Sequence, residues 1–257
     1  MKNLFRGLRG GLAFETTLSL SSGEEDFWKF VDRSFLFPVV GIIVGLLLGG
    51  VAILFSYLPG AISAGGFLVV FYLVCGILHT DGLADFADGL VKGGSHSERL
   101  EVMKDEKTGA AGLVVILVTN ILLFSALVEL FSVNELYRIF VVILAAEVLS
   151  KLAMYSVLFF GGSAHQGMAS TFMKKINWRD WLVALAISLA PLALFYDPLV
   201  ILPLVTTFLV SFGLVRLGNR VIGGINGDIA GASGEIVRPL MIIIFILIDK
   251  VNVLAFV

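Results

Sequence analysis

The chain has 257 residues, of which 58% are hydrophobic and only 15% are charged, and its formal net charge at pH 7 is −2. Soluble domains carry about 25% charged residues, so this composition excludes an ordinary soluble protein and indicates a multi-pass membrane protein. The near-neutral charge balance also argues against a nucleic-acid partner, which requires a strongly basic surface.

An amino-terminal segment, residues 1–35, precedes the first long apolar run. It is basic near its start but lacks the apolar core and cleavage site of a secretory signal, so we expect it to be retained. Leu and Phe are mixed with Arg6 and Arg9 over residues 4–20, which predicts a helix lying along the membrane surface or dipping into it. We therefore expect a cytoplasmic or interfacial segment within one integral membrane domain, 1–257.

The rest of the chain is dominated by apolar runs near the length of about 20 residues that a helix needs to cross a bilayer. These runs predict an all-α fold, a polytopic helical bundle of about seven transmembrane helices. The candidate spans are 36–57, 61–79, 109–131, 137–160, 181–196, 198–217 and 237–257.

The basic residues predict the orientation of the bundle, because cytoplasmic loops carry an excess of Lys and Arg. With the amino terminus inside, fifteen of the eighteen Lys and Arg residues fall on the cytoplasmic side, Arg238 among them. Every long polar loop then lies on that face. The sequence therefore predicts a cell-membrane protein with a polar active site facing the cytoplasm.

Three carboxylates close the second apolar run: Asp81, Asp85 and Asp88. At 100° per residue they fall at about 0°, 40° and 340°, so a helix would place all three on one narrow face. No Lys or Arg occurs between Cys75 and Val91 to neutralise them. Ionised carboxylates at a membrane boundary are costly when unpaired, so we expect a cation there.

A hard divalent cation suits this acidic strip, because Mg²⁺ prefers carboxylate oxygens and completes its shell with water and substrate phosphates. The glycines Gly82 and Gly89 would let the backbone approach a bulky phosphate closely. The alternative is a solvated acidic helix face without a metal. We favour the metal site because the strip adjoins an apolar segment.

A second polar stretch begins with a capping-box pattern, Ser95 to Glu98, which predicts a short helix through about Thr108. Lys104 would neutralise a phosphate and Asp105 would supply a further metal or base carboxylate, as phosphoryl transfer requires. On its own the stretch is also typical of a solvated helix. Its position shortly after the acidic strip, on the same face of the membrane, favours the functional interpretation.

A third polar stretch, residues 220–238, contains Gly224, Asn226, Asp228 and Glu235. The two carboxylates are seven residues apart and would share a helix face, while the glycines permit close approach to a nucleotide or to a neighbouring helix. Helix packing explains the glycines equally well. It does not explain an asparagine and two carboxylates among them.

Other polar residues lie within or beside the spans. Glu147 and Lys151 are four residues apart in one span, so we expect them to neutralise each other inside the bilayer. His79 closes the second span beside the acidic strip, where it would orient a carboxylate, meet substrate, or simply end a helix. His165 and His96 are too isolated in the sequence to assign.

Together these segments resemble one known family, the cobalamin synthases, also called adenosylcobinamide-GDP ribazoletransferases. The resemblance rests on four motifs that occur in the order of the family and cover most of the polar sequence. They are Leu36–Gly45, His79–Gly89, Arg99–Asp105 with Gly109, and Gly223–Gly224 through Gly227–Asp228 to Glu235.

The resemblance implies a Mg²⁺-dependent membrane enzyme that joins adenosylcobinamide-GDP to α-ribazole or its 5′-phosphate and releases GMP. It implies that Asp81, Asp85 and Asp88 hold the metal and act in catalysis with Lys104 and Asp105. The substrate-binding residues it implies are His79, Gly82, Gly89, Arg99, Gly224, Asn226, Asp228 and Glu235. Membrane lipid is the expected surrounding, and a homo-oligomer or an association with other late enzymes of the pathway stays open.

Two other functions compete with this one. A CDP-alcohol phosphotransferase of lipid synthesis also presents an acidic cluster, but its motif has arginine after the alanine where this chain has Asp85 after Ala84. A cation transporter would use the carboxylates as an ion path, but it should place them near the bilayer midplane rather than at the ends of spans.

Overall fold

The computed structural model describes residues 2–18, 22–133 and 135–255, and within these residues it is helical apart from turns and one isolated bridge. This confirms the predicted all-α class. In chain order the helices are α1 (Lys2–Glu15), α2 (Glu24–Val31), α3 (Phe37–Phe55), α4 (Gly60–Cys75), α5 (Leu78–Val91), α6 (His96–Val102), α7 (Ala110–Phe131), α8 (Leu136–Phe160), α9 (Met168–Met173), α10 (Trp178–Ala193), α11 (Ile201–Val221) and α12 (Gly227–Ala255). Short 3₁₀ turns, Ser34–Leu36 and Pro198–Val200, lead into α3 and α11.

Among the described residues, five helices are long and apolar enough to cross a membrane, or six if the bent pair α4 and α5 counts as one span. The five run over Ser34–Phe55, Ala110–Phe131, Leu136–Phe160, Pro198–Val221 and Gly227–Asn252. A polytopic bundle is thus confirmed, although fewer helices qualify than the seven expected. Helix α10, the counterpart of the predicted span 181–196, has 16 residues, which gives it a length of about 24 Å.

The predicted span 61–79 is wrong over its last four residues, 76–79. Helix α4 ends at Cys75, and Gly76 adopts φ 70°, a conformation that only glycine adopts at no steric cost. The chain then turns by 92° into α5. The acidic strip therefore lies on a separate helix that crosses the line of α4.

The last predicted span, 237–257, begins ten residues too late. Helix α12 starts at Gly227 and runs on as one helix, so the third polar stretch is mostly the first part of this span rather than a loop. Arg238, which the orientation argument placed on a cytoplasmic loop, is inside α12 and 3% exposed. Residues 256–257 lie outside the described part of the chain.

Helix α8 forms the centre of the bundle and is buried on all sides by α3, α10, α11 and α12. Its contact with α3 is close because α3 presents glycine at every fourth position. A Cβ on Gly41 or Gly45 would lie 3.0 Å from the Cα of Val148 or Leu144, respectively. Small residues at such spacing let membrane helices pack backbone to backbone.

The predicted pair of Glu147 with Lys151 is wrong. Glu147 accepts a hydrogen bond of 2.7 Å from Arg238 of α12, and Lys151 pairs with Glu15 of α1. All these side chains are at most 3% exposed. The two charged side chains of α8 therefore bind two different helices, α12 and α1. The buried ion pair of Lys151 with Glu15 holds α1 against the bundle.

Candidate functional site

A half-enclosed cavity of about 390 Å³ lies at the end of the bundle where α12 begins. Helices α1, α3, α5, α6, α8, α9 and α12 line it together with the loop 161–167. Its polar side chains include four residues that the sequence predicted, His79, Lys104, Asn226 and Asp228. Three polar stretches that are far apart in the sequence thus meet around one space.

The first turn of α12 forms one polar wall of the cavity. Asn226 precedes the helix, and its side-chain oxygen accepts a hydrogen bond of 3.1 Å from the amide of Ile229. Its amide nitrogen donates to the Asp228 carboxylate at 2.6 Å. Asn226 thus fixes the orientation of Asp228, which lines the cavity at the positive end of the helix dipole.

The acidic strip lies on one helix, α5, as predicted. Its three carboxylates differ in how deeply they are buried. Asp81 is exposed, Asp85 is half-buried and Asp88 is buried. Asp85 lies within electrostatic range of Asp81, Asp88 and Asp228, all of which repel its charge. Gly82 makes this convergence possible, because a Cβ there would lie 2.9 Å from the Cα of Asp228.

Asp88 makes structural hydrogen bonds that the sequence did not predict. One of its carboxylate oxygens accepts from the amide of Gly109 at 2.6 Å, and the other from the amide of Gly112 at 2.9 Å. These amides belong to the start of α7, so the Asp88 side chain caps that helix from a neighbouring element. Its role as a metal ligand stays a prediction, because a carboxylate retains further lone pairs.

The donor set suits a hard cation that completes its shell from solvent and substrate. In the described part of the chain, Asp81, Asp85 and Asp228 have no Lys or Arg within ion-pair distance. No group of three or more Asp, Glu, His or Cys side chains in these described residues is arranged to hold a metal ion by itself. Mg²⁺ is commonly held by one or two carboxylates plus phosphates and water, so an open acidic cluster of this kind fits it.

The second polar stretch forms α6, and its predicted capping box is present. Ser95 accepts from the amide of Glu98, and its own amide donates to Glu98 at 2.7 Å. That amide hydrogen bond, followed by one from the Ser95 hydroxyl, lowers the pKa of Glu98. The helix ends at Val102 rather than Thr108, which places Lys104 in the following turn, at the cavity.

Two further predicted residues of this stretch lie away from the cavity wall. Arg99 donates to the carbonyl oxygens of Gly89 at 3.2 Å and Leu90 at 3.0 Å, at the carboxyl end of α5, where a cation is favourable. Asp105 is exposed and accepts from the amide of Lys107 at 3.1 Å. Their predicted contacts with substrate or metal stay predictions.

The predicted substrate-binding glycines have close-packing roles. A Cβ on Gly89 would lie 2.6 Å from the Met103 side chain, and one on Gly224 would lie 2.6 Å from the amide nitrogen of Ala164. The close approach at Gly224 lets residues 162–164 pair with Ile225 through two backbone hydrogen bonds of 2.7 and 3.0 Å. This pairing holds the loop 161–167 against the cavity, which His165 and Gly167 line.

Buried polar contacts lie behind the cavity. His79 Nε2 is 3.0 Å from Glu15 Oε2, which also binds Lys151. Glu235 is buried away from the cavity wall and accepts from Arg238 at 2.7 Å and from Thr80 at 3.3 Å. His79 is therefore oriented by Glu15, and the predicted role of Glu235 toward substrate stays a prediction.

The sequence did not assign His165 or the aromatic wall to the site. His165 lines the cavity and lies within electrostatic range of Asp228. The only sequence signal for it was a glycine-rich loop between spans on the face that carries the other polar stretches. Phe14, Phe37 and Phe172 lie on three separate elements, so no spacing in the sequence connects them.

Comparison with known proteins gives one consistent result. The family model of cobalamin-5-phosphate synthase matches residues 7–246. The chain is 34% identical to the adenosylcobinamide-GDP ribazoletransferase of Methanocella arvoryzae, covering 92% of this chain and 93% of that protein. It is 30% identical to the protein of the same name from Methanococcoides burtonii, covering 98% and 96%, and 33% identical to that from Pyrococcus abyssi, covering 92% and 96%. No solved structure matches.

Proposed function

Because this chain belongs to the cobalamin-5-phosphate synthase family, we infer that it catalyses the step named in its relatives. It transfers the adenosylcobinamide-phosphate group from adenosylcobinamide-GDP to α-ribazole or α-ribazole 5′-phosphate. The products are adenosylcobalamin, or its 5′-phosphate, and GMP. The observation that best supports this function is that Asp228 and Lys104 line one cavity at the end of a membrane bundle. Asp85 of the acidic strip lies within electrostatic range of Asp228.

The reaction is a displacement at the phosphorus that carries the corrinoid. A ribose hydroxyl of the ribazole forms a new P–O bond, the anhydride bond to GMP breaks, and the hydroxyl proton goes to a base. Bound Mg²⁺ supplies charge neutralisation for the diphosphate and for the GMP that leaves. The residues that would hold it are Asp81 and Asp85, with Asp88 behind them on α5 and Asp228 opposite.

The remaining tasks fall to residues of the cavity wall. Lys104 would neutralise a phosphate as a mobile point charge, and the amino end of α12 would attract the same anion. Asn226 would hold Asp228 in place by its hydrogen bond of 2.6 Å. His79, oriented by Glu15, and His165 would contact the polar part of a substrate.

The function is tested directly by measuring GMP release from the full chain in lipid. We expect release only when adenosylcobinamide-GDP and α-ribazole are both present, and we expect chelation of Mg²⁺ to stop it. Release without the ribazole would indicate hydrolysis rather than transfer. If neither GMP nor a cobalamin product forms, the assigned reaction is wrong.

The two alternative functions lack comparable support. The relatives reported above are named for the ribazole transfer and not for lipid synthesis or transport. A transporter requires ionisable groups available along a path at membrane depth. Here Glu147, Lys151 and Arg238, which lie within the spans, are each engaged in a buried ion pair.

We propose that the cavity faces the cytoplasm and that the outer surface of the bundle contacts lipid. Side chains of α7 such as Leu113, Leu117 and Ile121 are 54–60% exposed, as expected of a lipid-facing surface. Ser95, at the start of α6, is exposed near the cavity. Homo-oligomers and associations with other enzymes of the pathway stay predictions.

The orientation is tested by a Ser95→Cys variant in which Cys75 is replaced by alanine. We expect a membrane-impermeant thiol reagent to label the new cysteine in inverted vesicles and not in intact cells. As a control, a cysteine at Glu129, an exposed residue near the opposite end of α7, should show the reverse pattern. Labelling of position 95 in intact cells would reverse the proposed topology.

A further inference from the structure

The cavity has two chemically different halves. His79, Lys104, His165, Asn226 and Asp228 supply charged and polar groups on one side. The other side is formed by α1, α3, α8 and α9 and presents almost only aromatic, aliphatic and thioether side chains. A ligand that fills both halves must itself be polar at one end and apolar at the other.

The apolar half is built around Phe172. Its ring lies 5.8 Å from that of Phe14 and 5.5 Å from that of Phe37, measured between ring centroids. Phe37 and Phe172 are at most 2% exposed, so these rings form a closely packed wall. Met154 and Leu158 of α8, exposed by 3% and 4%, complete it.

The side-chain hydroxyls of α9 are already hydrogen-bonded at the start of their own helix. Ser170 is the α9 residue with a polar side chain that lines the cavity, and its hydroxyl donates to the Gly167 carbonyl at 2.7 Å while accepting from the Gly167 amide at 2.9 Å. The hydroxyl is thus occupied by the start of its own helix. A ligand with several polar edges would find few side-chain partners on this wall.

We propose that the apolar half binds the aromatic base of the ribazole and that Met154 limits the size of the base accepted. This inference rests on the proposed function and adds a binding subsite to it. The ribose then reaches the polar half, where its hydroxyl groups lie beside Asp228 and Lys104. The base of α-ribazole is dimethylbenzimidazole, which has two methyl groups and only one ring nitrogen with an unshared electron pair, so it matches a mostly aromatic and aliphatic wall.

The other parts of the two substrates fit this half less well. Guanine carries several donors and acceptors on one edge, and each that is buried without a partner weakens binding. A cavity of about 390 Å³ is also near the lower end of ligand pockets, which span roughly 300–1,000 Å³. It therefore accommodates a nucleoside-sized group, and the much larger corrin macrocycle must lie outside it.

Met154 is placed to set the depth of this subsite. Its side chain packs against α12, since a Cβ on Gly234 would lie 3.0 Å from its sulfur, and it also lines the cavity. Truncation to alanine would extend the cavity toward α12. A base with an additional fused ring, such as naphthimidazole, would use the added space.

The test compares kcat/KM for ribosides of dimethylbenzimidazole and naphthimidazole in the Met154→Ala variant. We expect the ratio of naphthimidazole to dimethylbenzimidazole to rise about tenfold, as is typical when a pocket changes by one or two carbon groups. The matched control is Met241→Ala, because Met241 is buried in α12 and is not a cavity-lining residue; it should leave the ratio unchanged. The ratio does not depend on how much active enzyme is present.

A second variant changes the size of the proposed base subsite at a residue of α9. Ala169 is 8% exposed and lines the cavity, so Ala169→Leu should narrow the subsite and shift preference toward unsubstituted benzimidazole riboside. Unchanged ratios in both variants, with GMP still released, would overturn the base subsite while leaving the proposed function intact. Absence of GMP release from the unmodified chain with every base would instead refute the proposed function.

Discussion

Replacing Asp85 by asparagine is expected to lower GMP release by at least about 10²–10³-fold, the loss typical of removing one group that stabilises transition-state charge. The substitution preserves shape and removes the negative charge that lies among those of Asp81, Asp88 and Asp228. Because it also removes mutual repulsion, it should leave the free energy of unfolding unchanged or raise it slightly. Loss of activity with retained stability is the diagnostic combination.

Two further measurements identify the cause of that loss. Added Mg²⁺ should raise the unfolding temperature of the unmodified protein, because a ligand that binds only the folded state stabilises it, and this rise should shrink in the Asp85→Asn variant. The control Asp32→Asn alters a surface carboxylate paired with Lys175 at 3.2 Å and should change neither quantity. A fully active Asp85→Asn enzyme would remove Asp85 from the metal site.

Local patterns in the sequence were sufficient to predict individual elements of the site. The spacing of Asp81, Asp85 and Asp88 predicted one helix face, and α5 carries them as a helix. The pattern from Ser95 to Glu98 predicted a capping box, which is present. Both predictions depend on residues within one or two helical turns, where backbone geometry determines which side chains meet.

Such local patterns could not predict contacts between segments that are far apart in the sequence. Nothing in the sequence near Asp88 indicates that it caps α7, and nothing near Asp85 indicates that Asp228 lies across from it. The pairing of Glu147 with Lys151 was geometrically permitted within α8, but each charge instead reaches another helix. Which of several permitted partners is used depends on helix packing, which a single sequence does not reveal.

The second large effect is expected at Arg238, where Arg238→Met should reduce the free energy of unfolding by about 3–5 kcal/mol. Its guanidinium donates to Glu147 and Glu235, both at 2.7 Å, and lies 4.5 Å from the centroid of the Phe71 ring. Removing it leaves two carboxylates buried without a cation. The loss is measured by reversible unfolding in mixed detergent micelles.

Two comparisons show whether the loss of stability comes from unpaired charges that are buried. Lys250→Met removes an ion pair with Glu129 in which both side chains are at least 50% exposed, so it should cost no more than about 1 kcal/mol. Adding Glu147→Gln to Arg238→Met should recover part of the stability, because one of the two unpaired buried charges is then neutral. A cost for Arg238→Met as small as that for Lys250→Met would contradict the buried network.

The same substitution should also lower activity, although Arg238 is not a cavity-lining residue. Arg238 binds Glu235, which accepts from Thr80 at 3.3 Å, and Thr80 immediately precedes the acidic strip on α5. The network therefore holds α5 against α12, the contact that brings Asp85 to Asp228. Since a displacement of about 1 Å in a reacting geometry can cost about 10²-fold in rate, loosening this contact should reduce kcat even in molecules that stay folded.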